Sequence, residues 1–266
     1  MLDYQYHHKY NKETIVLLHG LGGNTTMFHK QMDAYKKHFD VLAINLPGHG
    51  NSPCPTSYTQ PFSFAIINNE ILDTLDTLNI KRAHFVGISV GAIVVHDFLQ
   101  RNPERAISAV LGGCITRYNA FSAFLLFASN LLKNVIPHML LYKVLAHIIM
   151  PRNNHKISRD FFVREAQKID KSRILPWVDL VQHVRTTYVD VQKNSKNVPK
   201  LYISGAEDHL FVKAILEDTK KDQSSERLIL EKCGHVCNLE KPREFNDASL
   251  KFIGENKRNE VQNYPV

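Results

Sequence analysis

The segment Gly87-Ile88-Ser89-Val90-Gly91 has the clearest chemical character in this sequence of 266 residues. The apolar run Ala83–Val86 precedes it and a helical pattern follows it, so Ser89 lies where a buried strand turns into a helix. Glycines on both sides allow a sharp turn and a close approach of the chain, and the helix N-terminus favours developing negative charge. The segment therefore predicts a nucleophilic serine.

A serine hydroxyl is a weak nucleophile, so the next residue required is a base held in one tautomer by a third group. Among the 14 histidines, His235 is the best placed, because its loop follows the last predicted strand and would reach the sheet edge near Ser89. His19 precedes a glycine loop, where a structural role in holding that loop is the simpler interpretation. His209 adjoins the candidate acid. We therefore expect His235 to be the base.

The candidate acid that orients His235 is Asp208, which ends the segment 201–208 just past another predicted strand. Glu207 is the alternative, because a one-residue change in turn geometry would exchange the two carboxylates. The end of an earlier strand, Gly112-Gly113-Cys114, offers no carboxylate. Asp208 is therefore the expected third member of the group.

Acyl transfer through a tetrahedral intermediate also needs two preorganised N–H donors for the oxyanion. Val90 is the first candidate, because it directly follows the nucleophile. Leu21 is the second, because the glycines around it, at 20, 22 and 23, let the backbone turn an amide inward. Only the positions of the two residues support these assignments, because every residue other than proline has a backbone N–H whatever its side chain.

Cys233 and Cys237 flank His235, so a metal site is the alternative chemistry for this loop. Zinc sites need further ligands at matching spacing, and no other paired Cys or His has it. We expect neither a metal nor an organic cofactor. Four scattered cysteines also favour a reducing compartment, and the N-terminus MLDYQYHHKY lacks the apolar core of a secretory signal. The expected location is the cytoplasm.

Strands that alternate with helices must bring these side chains together. The predicted strands are Thr14–Leu18, Phe39–Ile44, Ala83–Val86, Ala106–Leu111, Pro199–Ser204 and Arg227–Leu230. Helical patterns cover about 25–37, 64–78 and 90–100, and a last helix starts near Pro242. This alternation predicts an α/β fold with a mostly parallel central sheet and helices on both faces.

Between residues 116 and 193 the alternation stops and helical patterns take over. We therefore predict a core formed by 1–115 and 194–256, an inserted helical cap at 116–193 and a frayed tail at 257–266. The apolar segment Ala120–Leu132 is expected to pack over the core, and an interfacial lipid-binding lid is the alternative. Lys133, Pro137 and Lys143 interrupt its hydrophobicity, so no run reaches the roughly 20 residues of a membrane span.

The net charge of +7 lies entirely in the predicted cap. Residues 115–195 hold 12 Lys and Arg against 5 Asp and Glu, and the rest of the chain holds 21 of each. A solvated helical surface is the ordinary interpretation, and attraction of an anionic substrate or transient contact with an anionic lipid surface is the alternative. No nucleic-acid partner is expected, because the basic residues alternate with apolar runs and match no known module.

These features, taken in order, resemble the α/β-hydrolase superfamily over nearly the whole chain. The matching segments are His19-Gly20, Leu46–Ser52, Gly87–Gly91, Gly205–Asp208 and Gly234-His235. Nucleophile, acid and histidine also follow in the order of that family. The resemblance implies an α/β-hydrolase fold with an inserted cap, close to small lidded esterases and monoacylglycerol lipases, and also to non-metal haloperoxidases and a menaquinone-pathway lyase. Serine at 89 argues against epoxide hydrolases and haloalkane dehalogenases, whose nucleophile is aspartate.

The expected function is hydrolysis of carboxylic esters with small or medium acyl chains, through an acyl-enzyme on Ser89. Apolar cap residues suit such a chain, although ordinary core packing explains them as well: Phe121, Phe124, Leu125, Phe127 and Met139. A lyase or carbon-carbon hydrolase acting on an anionic metabolite with the same three residues is the second hypothesis. A ligand-binding protein without turnover is the third.

Overall fold

The computed structural model describes residues 1–9, 13–133, 135–183, 188, 194, 195 and 197–262. Within them the strands are β1 (Tyr4–His7), β2 (Thr14–Leu18), β3 (Asp40–Ile44), β4 (Ala83–Ile88), β5 (Ala106–Gly112), β6 (Lys200–Gly205) and β7 (Ser225–Leu230). The helices are α1 (His29–Tyr35), α2 (Phe64–Thr77), α3 (Val90–Arg101), α4 (Ala120–Leu132), α5 (His138–Ile149), α6 (Lys156–Ala166), α7 (Lys171–Leu180), α8 (Val212–Asp218), α9 (Cys237–Glu240) and α10 (Pro242–Gln262).

The strands form one sheet in the order β1-β3-β2-β4-β5-β6-β7. β1 pairs antiparallel with β3, and every other neighbouring pair is parallel. The mostly parallel sheet is thus confirmed, and both ends of each predicted strand lie within two residues of the ends of an observed strand. The edge strand β1 was not predicted, because its four residues, Tyr-Gln-Tyr-His, form a short run with no buried apolar stretch.

Both faces of the sheet are covered, which is why its strands are apolar at consecutive positions. Ile15 and Leu17 of β2 belong to the core that also contains residues of α1 and α10. Val16 and Leu18 belong to the opposite core, together with residues of α2 and α3. Every residue of β2 is buried. Helices on both faces are therefore confirmed.

Helices α4 to α7 are inserted between β5 and β6, which are neighbours in the sheet. Trp177 of α7 is fully buried, and its Nε1–H donates to the Pro47 carbonyl oxygen at 2.9 Å. Glu165 of α6 accepts a hydrogen bond of 2.8 Å from Asn24 Nδ2. These contacts attach the insertion to the core. The predicted end of the cap at 193 lies outside the described residues, so that limit stays a prediction.

The C-terminal helix α10 continues to Gln262, beyond the predicted end of the core at 256. Residues 263–266 of the predicted tail lie outside the described residues. Pro242 occupies the first position of the helix, where its missing N–H has no helical partner to lose. Through the described ranges, no helix combines the length and the hydrophobicity needed to cross a bilayer.

Candidate active site

Ser89 occupies a strained turn between β4 and α3. Its φ of 53° and ψ of −114° lie in a region that non-glycine residues rarely adopt. A Cβ added at Gly91 would lie 2.1 Å from the Leu18 carbonyl oxygen, and one at Gly87 would lie 2.6 Å from the Gly91 carbonyl oxygen. Backbone on both sides therefore leaves room for glycine alone, which agrees with the expected sharp turn.

His235 bridges the serine and a carboxylate. The Ser89 hydroxyl donates to His235 Nε2 at 2.8 Å, and His235 Nδ1–H donates to Asp208 Oδ2 at 2.8 Å. The exposed fractions of Ser89, His235 and Asp208 are 6%, 3% and 0%. The carboxylate fixes the tautomer in which Nε2 can accept the serine proton.

The three side chains come from loops that follow β4, β6 and β7, at the carboxyl edge of the sheet. Asp208 rather than Glu207 faces the imidazole. Glu207 instead accepts hydrogen bonds from Arg152, Asn154 and His155, at 2.5, 2.8 and 2.9 Å. Of the two alternatives that the sequence left open, the geometry favours Asp208.

A second buried carboxylate, Glu240 of α9, lies behind the histidine loop. Its Oε2 accepts the Gly234 N–H at 2.6 Å, and its Oε1 accepts the Ser158 hydroxyl of α6 at 2.6 Å. Burial disfavours the charged form of His235, but the nearby Asp208 carboxylate and then Glu240 outweigh burial and raise the pKa of His235 above its usual value. Glu240 was not singled out in the sequence, because no motif marks it.

Leu21 and Val90 lie beside Ser89 on the wall of the same cavity. Among the described residues, neither backbone N–H donates to a protein acceptor. The Gly22 N–H next to Leu21 donates to His49 Nε2 at 3.0 Å. The structure thus places both expected donors near the nucleophile.

Two neutral histidines hold the glycine loop. His19 Nδ1–H donates to the Gly20 carbonyl oxygen at 2.8 Å, and His19 Nε2 accepts the Leu46 N–H at 3.0 Å. Burial lowers the pKa of His49 to about 4 and that of His19 well below its usual value. The structural role expected for His19 agrees with these bonds. The role of His49 was missed, although its position between two glycines was a signal.

A cavity of about 200 Å³ opens above Ser89 between the sheet edge and the inserted helices. Its α4 wall consists of residues at helical spacing, namely Ser122, Leu125, Leu126, Ser129 and Lys133. Eleven residues of helix span about 16 Å, so this wall is long. Asn119 Nδ2, at the start of α4, donates to the Leu210 carbonyl oxygen at 3.0 Å, and the neighbouring Phe211 ring is 5.3 Å from that of His235. Lys133 is therefore at the end far from the nucleophile.

The three phenylalanines expected to contact an acyl chain do not line this cavity. Phe121, Phe124 and Phe127 are 52%, 62% and 66% exposed. Their spacing puts Phe124 and Phe127 on the side of α4 away from Ser129, and Phe121 is exposed in the first turn of the helix. Leu125 does line the cavity, whereas Met139 does not. When a helix is apolar on both faces, its sequence does not indicate which face points inward.

Cys233 and Cys237 are free, buried thiols that take part in local packing. Burial raises the pKa of both. Cys237 Sγ–H donates to the Ile203 carbonyl oxygen at 3.5 Å, and Cys233 Sγ–H to that of Gly234 at 3.7 Å. Over the described stretches, no group of three or more Cys, His, Asp and Glu is arranged to hold a metal ion.

Known proteins share this architecture. The chain is 24% identical over 246 residues to an uncharacterized carboxylesterase, nap, of Bacillus subtilis, which covers 90% of this chain and 78% of the relative. A carboxylesterase structure from Nitrososphaera gargenis superposes with a TM-score of 0.79 at 18% identity, over 97% of this chain and 95% of the other. A meta-cleavage product hydrolase from Pseudomonas fluorescens IP01 gives a TM-score of 0.73 at 20% identity, over 95% and 94%.

At such identities the structural likeness establishes the fold and leaves the substrate open. The family model described as alpha/beta hydrolase fold matches residues 13–242. That range includes the serine turn, the acid loop and the histidine loop, as well as the inserted helices. The chain therefore belongs to the α/β-hydrolase fold family.

Proposed function

We propose that this hydrolase cleaves carboxylic esters with an apolar acyl chain of small or medium length. The observation that carries the proposal is the hydrogen-bonded series Ser89–His235–Asp208 at the floor of a largely apolar cavity. A hydroxyl, a neutral imidazole acceptor and a buried carboxylate in this order are the parts that activate a serine.

In the proposed reaction, Ser89 Oγ attacks the acyl carbonyl carbon while its proton passes to His235 Nε2. The N–H groups of Leu21 and Val90 donate to the carbonyl oxygen as it becomes an oxyanion. His235 then gives its proton to the leaving alkoxide, and the C–O bond breaks to leave an acyl-enzyme. Water attacks that ester with His235 again as base, and the acid and free Ser89 are released.

The cavity favours an uncharged acyl chain over an anionic one. Its walls are mainly aliphatic and aromatic side chains. The cavity cation Lys133 is already paired with Asp179, whose Oδ1 lies 2.5 Å from Lys133 Nζ. An anion in the cavity would have to compete with that carboxylate for Lys133, so the ion pair attracts an anionic substrate only weakly.

A carbon-carbon hydrolase remains the second candidate, because Lys133 and His138 both line the cavity and could receive a substrate carboxylate if the Asp179 pair opens. The likeness to the meta-cleavage product hydrolase gives it further support. Turnover of a carboxylate-bearing diketone, with p-nitrophenyl esters left intact, would favour this alternative over ester hydrolysis.

The test compares wild type, Ser89→Ala and Ser129→Ala on p-nitrophenyl esters of increasing acyl length, together with labelling by a fluorophosphonate probe. Removal of a nucleophile of this kind costs on the order of 10³-fold or more in kcat. Ser129→Ala removes a serine of the cavity wall that is remote from His235, and it should retain both activity and labelling. Folded wild type that neither cleaves an ester nor takes the label would contradict the proposal and favour a binding protein.

A further inference from the structure

The outer surface of the inserted helices carries a run of exposed apolar side chains. We define the outer cap face by Phe121, Phe124, Phe127, Leu131, Val135, Leu140 and Val144, which are between 48% and 80% exposed. Elsewhere in the described residues, only three large apolar side chains are exposed: Met1, Ile157 and Leu216. Scattered apolar residues are ordinary on protein surfaces, but a concentration of seven on two consecutive helices and the turn between them indicates an interaction surface.

The cavity does not account for the outer cap face. Leu125, Ser129 and the other cavity residues of α4 occupy the inner side of that helix. Phe124, Phe127 and Leu131 lie along the opposite side, and Phe121 is exposed at the margin of that side in the first turn. No other part of the described residues covers these side chains, so we look to a separate partner for their burial.

The segment that carries this face has a net positive charge, although three of its basic groups are paired: Lys133 with Asp179, Arg152 with Glu207 and Lys156 with Asp160. Residues 118–159 contain no Asp or Glu, and they contain Lys133, Lys143, Arg152, Lys156 and Arg159. Lys143 is exposed on α5 beside Leu140 and Val144, and no carboxylate among the described residues is paired with it. An occupant with an apolar interior and negative surface charge would satisfy both the apolar and the basic groups.

We propose that the outer cap face docks on an anionic lipid bilayer. The aromatic and aliphatic side chains would insert at the boundary between headgroups and acyl chains, and Lys143 with its basic neighbours would lie among the anionic headgroups. A second copy of the chain fits less well, because it would bring two segments of net positive charge, each with an unpaired Lys143, against each other.

Docking has a consequence for substrate access, which rests on the proposed function. One helix, α4, forms both the cavity wall and the outer cap face, and a helix with its side chains is about 10 Å across. The cavity would then lie about one helix diameter from the lipid surface. Esters that partition into the bilayer would be concentrated next to the active site.

The test is co-sedimentation of the full chain with vesicles of phosphatidylcholine alone and of phosphatidylcholine mixed with phosphatidylglycerol. We expect wild type to bind the mixed vesicles at least tenfold more tightly than the neutral ones, with binding that weakens as salt increases. The double variant Phe124→Ser/Phe127→Ser should lose about tenfold, and Lys143→Glu several-fold on mixed vesicles only. Leu216→Ser, which removes an exposed leucine of α8, is the matched control and should bind as wild type does.

Hydrolysis of a water-soluble short ester by the same variants should equal that of wild type, which verifies that they fold. This measurement also separates the two proposals, since a protein that binds vesicles but cleaves no ester would contradict only the proposed function. Three results would overturn the docking proposal: no binding of wild type to mixed vesicles, equal binding of wild type to both vesicle types, or equal binding of wild type and the double variant. A dimer that the double variant abolishes, without vesicle binding, would identify a second copy as the occupant instead.

Discussion

The hydroxyl of Tyr142 on α5 donates to the carbonyl oxygen of Leu21 at 2.9 Å. A Cβ at the next residue, Gly22, would lie 2.5 Å from that hydroxyl, so helix and loop are in close contact. Two hydrogen bonds thus fix the peptide group between Leu21 and Gly22, because Tyr142 donates to its carbonyl oxygen and His49 accepts its N–H. An inserted helix therefore helps to position a proposed oxyanion donor.

The change Tyr142→Phe should lower kcat for ester hydrolysis about three- to tenfold and leave KM nearly unchanged. The physical reason is that one hydrogen bond contributes about 0.5–1.5 kcal/mol, here through a group that acts mainly in the transition state. Tyr118→Phe is the matched control, because that hydroxyl also lies at the cavity but donates to the Val181 carbonyl oxygen at 3.0 Å. Equal kinetics for the two variants would remove any special role for Tyr142.

The pH dependence of kcat/KM should show an acid limb governed by His235. The imidazole must be neutral to accept the serine proton, and its pKa is raised above the usual 6.5 although burial opposes this, because Asp208 and Glu240 favour the charged form. Activity should therefore fall with decreasing pH from a midpoint above 6.5. The same shift stabilises the fold below the unfolded pKa, and this contribution is lost as pH rises through the folded pKa. A pH–rate profile that stays flat down to pH 6 would contradict the assignment.

Glu240→Gln should move that acid limb to lower pH. The amide oxygen can still accept the Gly234 N–H, but the negative charge that helps to raise the pKa of His235 is gone. Ser158→Ala serves as control, because it removes a hydrogen bond to Glu240 and leaves the charge in place. Superimposable profiles for the two variants would show that Glu240 acts only as a structural group.

Ser129→Phe should change the preference for acyl-chain length. The side chain of Ser129 is buried on the cavity wall of α4, between Leu126 and Lys133, so a phenyl ring there would fill the far part of the cavity. We expect kcat/KM for the longest accepted p-nitrophenyl esters to fall at least tenfold, and that for the acetate to change less than twofold. Ala123→Phe adds the same ring to the exposed side of α4 and should leave the length profile as it is. A uniform loss on all esters would contradict the proposed location of the acyl chain.

Gly91→Ala should lower the free energy of unfolding by about 3 kcal/mol, the upper end of the usual cost of overpacking, because the backbone it meets cannot move aside. The added Cβ would meet the carbonyl oxygens of Leu18 and His19 at 2.1 and 2.7 Å. Gly254→Ala is the control, because a Cβ in that part of α10 meets nothing within 4 Å and alanine should gain about 1 kcal/mol in a helix. Urea unfolding of both variants provides the measurement.

The positions of Ser89, Asp208 and His235 could be predicted because each follows a strand, and parallel strands bring their carboxyl ends to one edge. The choice between Glu207 and Asp208 could not be settled in this way. It depends on side chains in the turn that precedes α6, His155 and Arg152, which hold Glu207 away from the imidazole. No local pattern encodes that contact.

The inserted helices were predicted as helices but not in orientation. α4 is apolar around most of its circumference, so periodicity alone did not show that Phe124 and Phe127 point outward. The hydrogen bond between Tyr142 and Leu21 joins residues that are far apart in the chain, so only the folded structure shows it. The edge strand β1 escaped prediction for a related reason, because its pairing with β3 stabilises a segment with little apolar character.

The insertion departs after β5 and returns at β6, two strands that pair directly from Ala109–Lys200 to Gly112–Ile203. Replacement of everything between them would leave that pairing, and with it the spacing of the loops at the sheet edge, undisturbed. The sheet therefore sets the spacing of the serine, acid and histidine loops, while the insertion supplies much of the cavity wall and the Tyr142 hydroxyl that holds Leu21. A chimera with a relative's inserted helices would need a tyrosine at the place of Tyr142 to keep the proposed oxyanion donor in position.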